Sequence, residues 1–110
     1  MSAEPDAGAF RPPRFDVTAA NDPERGGTVL SLSGELDLLS EPIFAQALAE
    51  ATAPVRIDLS ERAFMDSTGL RALLSAARHR KDLTLSGPLQ APIQRLLELT
   101  QTLEILPFGD

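Results

Sequence analysis

The 110-residue chain contains no cysteine. That excludes a disulfide framework, a thiolate metal site and a Cys nucleophile, and it leaves the redox compartment open. No apolar run approaches the roughly 18 residues of a membrane-spanning helix. No charged-then-apolar leader opens the chain, so the sequence reads as cytoplasmic, with no membrane partner. Basic residues are few: ten Lys and Arg against sixteen Asp and Glu leave a net charge of −6. A surface for direct nucleic-acid binding needs clustered cations, and this balance argues against one. The cations that do cluster, Arg78, His79, Arg80 and Lys81, fall at the end of a predicted helix, where they complement its negative dipole end. What remains, 43% hydrophobic over 110 residues, is enough for one compact domain with a single core.

Residues 1–13, "MSAEPDAGAFRPP", are rich in Pro, Ala and Gly, without periodicity, and are expected to form a flexible tail ahead of a domain spanning 14–110. There are no internal repeats. "RFDVTAA" and "TVLSLSG", joined by the turn signal "DPERGG", predict a β-hairpin. Phe44, Ala47, Leu48 and Ala51 keep helical spacing, with Ser40 as N-cap and Pro42 in the first turn. "VRIDL" alternates as a strand. A helix over 67–80 is expected to bury Leu70, Leu73, Leu74 and Ala77. "LTLSG" reads as another strand, Ile93, Leu96, Leu97 and Thr100 as a third helix, and "LEILPF" as a last strand. The order β-β-α-β-α-β-α-β implies an α/β fold with a largely parallel open sheet of four or five strands. Strands buried on both faces read as unbroken apolar runs, whereas these alternate. Helices should therefore cover one face only.

The stretch "MDSTGL", residues 65–70, concentrates the chemistry. A serine-hydrolase elbow, G-x-S-x-G, needs glycine where Met65 stands. The lone histidine, His79, is twelve residues beyond Ser67 on the same predicted helix. That is roughly 18 Å at 1.5 Å per residue, so it cannot activate the hydroxyl. An aspartic-protease D-[ST]-G pattern fails by one residue. Neither phosphate-cradling glycine motif occurs anywhere in the chain. No catalytic residue is expected. Asp66 or Ser67 should cap the helix, a contribution of about 1 kcal/mol. Ser67 at a strand-to-helix junction also suits a phosphoacceptor, because an added phosphate would meet the helix's free amides and positive dipole end. Glu35 and Asp37 at the end of "SGELD" would come close if the strands are neighbours. Almost two further negative charges beside them would make a strongly anionic patch, and like-charge juxtaposition in an interface costs several kcal/mol.

"SGELDLLSEPIF" (33–44) followed by "IDLSERAFMDSTGLRALLSA" (57–76) closely resembles the STAS domain of bacterial anti-sigma factor antagonists, over roughly residues 14–106. The resemblance implies a binding protein, with neither enzymatic activity nor a cofactor of its own. Its implied partner is an anti-sigma factor that is also a Ser/Thr kinase of the histidine-kinase-like ATPase fold, so that ATP belongs to the partner. It implies that the kinase phosphorylates Ser67, which ends binding, and that a Ser/Thr phosphatase restores it. Glu35, Asp37, Asp66, Thr68 and Gly69 take places on the implied partner-binding surface. A STAS scaffold or transport-associated subunit, stressosome-like and never phosphorylated, stands as the alternative. The chain departs from the family pattern in ending at "LPFGD", where members often add a helix, and in lacking a T-G-L turn in "LTQTLEI".

Overall fold

The computed structural model describes residues 14–61 and 63–109; the expected tail, residues 1–13, lies outside them. Among the described residues there are five strands and three helices: β1 (Asp16–Asn21), β2 (Thr28–Leu36), α1 (Glu41–Glu50), β3 (Val55–Asp58), β4 (Ala63–Met65), α2 (Ser67–His79), β5 (Leu83–Ser86) and α3 (Ala91–Leu99). The sheet runs β1-β2-β3-β5, with β4 also paired to β2. Only β1 is antiparallel to its neighbour; β2, β3, β4 and β5 run parallel.

Alternation in the sequence becomes a two-sided sheet. Along β2, Thr28, Leu30, Leu32, Gly34 and Leu36 are buried and the residues between them half-buried. Val55 and Ile57 from β3, Leu59 just after it, and Leu83 and Leu85 from β5 are buried with them. Phe44 of α1, Leu70, Leu73 and Ala76 of α2, and Ile93 and Leu97 of α3 join the same core cluster. All three helices therefore cover one face, and the other carries Ser31, Ser33, Arg56, Asp58, Thr84 and Ser86 half-buried.

β2 changes neighbours along its length, and this positions the site. Thr28–Ser31 pairs with β3, whereas Gly34–Leu36 pairs with β4. Gly34, with φ +81°, makes the bend between these two halves, and a Cβ there would run into the Arg14 carbonyl. A side chain would be both strained and crowded at that position.

One strand was not foreseen and two expectations change. "AFM" forms β4, a three-residue strand too short to show a period. "LEILPF" is not a strand: the Ile105 and Leu106 amides donate to the Thr102 carbonyl in turns, and pairing shrinks to a single bridge, Leu85 with Phe108. Pro107 has no amide to donate, but its carbonyl accepts from Leu85. Thr100 is exposed at the end of α3, its hydroxyl donating to the Leu96 carbonyl at 2.7 Å.

Candidate functional site

The parallel register sets Leu36 beside Met65 on adjacent strands. Neighbouring strands lie about 4.8 Å apart. The next residues, Asp37 and Asp66, thus leave the sheet side by side at the carboxyl ends of β2 and β4. This is the neighbourhood that the sequence reading required of Glu35, Asp37 and Ser67.

Each acid does local work. Asp66 is the N-cap of α2, its Oδ1 accepting from the Gly69 amide at 3.0 Å. Asp37 Oδ1 accepts from the Leu39 amide at 3.1 Å and the Ser40 amide at 3.0 Å, closing the turn between β2 and α1. Ser40 occupies the N-cap position of α1 but caps no α1 amide. Its hydroxyl donates to the Glu35 carbonyl at 2.8 Å and accepts from the Asp37 amide at 2.9 Å. The acid of "GELD" is therefore a structural clamp on its own loop as well as a surface charge. Glu35 and Asp37 are half-buried, and Asp66 is exposed.

Ser67, the first residue of α2, is exposed, and Thr68 behind it is half-buried. The first helical amides have no partner within a helix. Asp66 satisfies one of them, the amide of Gly69. Gly69 is buried, and a Cβ there would overlap the Leu36 carbonyl and lie 2.8 Å from Met65 Cβ. Its absent side chain is what lets α2 start hard against the end of β2.

His79 is the last residue of α2, opposite Ser67 along the helix, with its Nδ1 2.8 Å from the Ser75 carbonyl oxygen. Arg80 is spent internally, donating to the Leu48 carbonyl at 2.7 Å and pairing with Asp82 at 2.9 Å. Among the described residues no group of His, Cys, Asp or Glu could hold a metal ion, and no helix is long and apolar enough to cross a membrane.

The sequence reading passed over Leu38 and Leu39, which stand 70% and 86% exposed in the clamped turn, and Ile43, 50% exposed on α1. A signal was present: the "LL" step fits neither the alternation of β2 nor the buried positions of α1. Apolar residues outside every core pattern are candidates for contact.

A family model described as "Mlab, STAS domain" matches residues 20–106. The crystal structure of an anti-sigma factor antagonist from Mycobacterium paratuberculosis superposes with a TM-score of 0.66. It is 27% identical, over 84% of this chain and 85% of that one. No curated protein matches. A match over most of the chain, the one-sided helical layer and the Asp-Ser-Thr-Gly start of α2 converge on one conclusion: the chain belongs to the STAS-domain family.

Proposed function

We propose that this STAS domain is an anti-sigma factor antagonist of the cytoplasm, switched by phosphorylation of Ser67. The observation that carries the proposal is an exposed hydroxyl on the first residue of α2, beside acids from two adjacent strand ends. The likeness to a known anti-sigma factor antagonist supports it. Unphosphorylated, the Ser67 end binds an anti-sigma factor kinase and so frees a sigma factor. In the switching step, Ser67 Oγ attacks the γ-phosphorus of ATP held by the kinase. The O–P bond forms, ADP leaves, and the hydroxyl proton passes to a base of the kinase. The phosphate then sits on the free amides of α2 with the fold intact. Its charge, added to Glu35, Asp37 and Asp66, opposes the nucleotide phosphates that the kinase holds against Ser67. A Ser/Thr phosphatase resets the switch.

Intact mass with site mapping, after incubation with ATP and an anti-sigma factor kinase of the same genome, tests the proposal. One phosphate on Ser67 is expected. Binding without transfer would leave Ser67 as an element of the helix start and favour the second reading, a scaffold or transport-associated STAS subunit.

A further inference from the structure

Leu38, Leu39 and Ile43 gather at the Ser67 end of the molecule with half or more of their surface in water. Full burial of each such side chain is worth about 1.5–3 kcal/mol, so leaving three exposed forgoes a large favourable term. The turn itself does not require them. Asp37 and Ser40 close it with their own side chains and with backbone amides, which places no demand on the side chains at 38 and 39. The same bonds hold the pair in one orientation before any encounter, which lowers the ordering cost of binding. Beside Leu39 lies a hollow of about 270 Å³ lined also by Phe15, Glu35, Asp37 and Ile43.

Charge selects the occupant. Glu35 and Asp37 line this hollow, Glu41 opens the helix that follows, and Arg14 is the cation among them. A second copy docked about a two-fold axis would set these acids against themselves. An anionic bilayer surface would be repelled by them. A protein with an apolar pocket rimmed by Lys or Arg satisfies both the leucines and the carboxylates.

We infer that Leu38, Leu39 and Ile43 are the apolar anchor of the partner interface, and that the partner presents an apolar pocket with a basic rim beside the groups that reach Ser67. This deepens the proposed function and rests on it. In that arrangement the anchor supplies affinity and Ser67 supplies the switch. Binding energy concentrates in a few fully buried residues at the centre of a contact, with charges at its rim acting on rate and selectivity.

The test is calorimetric titration of the full chain with the purified anti-sigma factor kinases of the same genome. Leu39→Ser is expected to weaken binding about tenfold or more, and the Leu38→Ser/Leu39→Ser pair about a hundredfold. Leu99→Ser, at a position 75% exposed at the end of α3, should leave affinity unchanged. The melting temperatures of all three should stay at the wild-type value, since none of these side chains belongs to the core. Wild-type affinity in the double variant overturns the anchor. So does a wild-type dimer that the double variant abolishes, which would assign the patch to self-association. Ser67→Glu is the separate readout for the switch: if it weakens binding while the leucine variants do not, the switch stands and the anchor falls. If the leucine variants weaken binding and Ser67→Glu does not, the anchor stands and the switch falls. Failure of every such kinase to bind the wild-type chain removes both.

Discussion

Ser67 and Asp66 are adjacent in sequence and answer to different tests. Ser67 is exposed and contributes nothing to the core, so Ser67→Glu should leave the melting temperature within about 2 °C of wild type. The same variant should weaken binding of the anti-sigma factor kinase by tenfold or more, since like-charge juxtaposition costs several kcal/mol. A variant that unfolds would place the effect in the fold and discard the switch at the interface. Asp66→Ala removes the cap on the Gly69 amide and should cost about 1 kcal/mol, read as a shift in the denaturation midpoint. The role of Asp66 was legible in the sequence, because an acid before a helical apolar pattern has one obvious local use. Asp37 was legible only in part. Its hydrogen bonds to the Leu39 and Ser40 amides depend on how the chain turns after β2, and spacing alone does not give that turn. The two leucines it presents were passed over for the same reason.

At the scale of elements, Gly69 couples α2 to β2. Alanine is favoured over glycine in a helix by about 1 kcal/mol. Here the added methyl would collide with the Leu36 carbonyl and with Met65 Cβ at 2.8 Å, and backbone cannot move aside cheaply. Overpacking of this sort costs about 1–3 kcal/mol, so the clash outweighs the propensity and Gly69→Ala should destabilise. Chemical denaturation would measure it, and a stabilised variant would show that α2 can retreat from the sheet without loss. Helices with a buried stripe and strands with strict alternation were readable because their period reports which face is covered. Leu70 and Leu73 lie buried as that period requires. β4 carried no such signal, since its three residues are placed by pairing with β2, a contact distant in sequence. "LEILPF" failed for the opposite reason: its apolar residues suit a strand, but its amides are taken by local turns and one position is proline.

For the whole molecule, two carboxylates make folding sensitive to acid. The turn between β1 and β2 is tied to β3 by Asp22, whose Oδ2 pairs with Arg56 Nε at 3.1 Å. The Glu24 amide, and after it the Arg56 guanidinium, hold Asp22 below its ordinary value of 3.8. Arg80 does the same for Asp82. In both cases the folded chain binds the proton less readily than the unfolded chain, so the unfolded state takes up more protons as pH falls through the ordinary value. The stability these groups contribute is complete above that value and is lost as pH drops through the lower, folded one. Melting temperature should accordingly be level from neutral pH to about pH 5 and fall steeply below about pH 4. Asp22, only 5% exposed, should dominate that limb over Asp82, which is open to water and screened. Asp22→Asn is expected to lower the melting temperature at neutral pH and to flatten the acid limb, converging with wild type once both carboxylates are protonated. An acid limb unchanged by Asp22→Asn would move the pH sensitivity elsewhere. Because the pair of Asp22 and Arg56 joins the β1–β2 turn to β3, away from Ser67, acid should loosen the sheet before it alters the acceptor. Hydrogen exchange below pH 4 should then open the β1–β2 hairpin ahead of the start of α2.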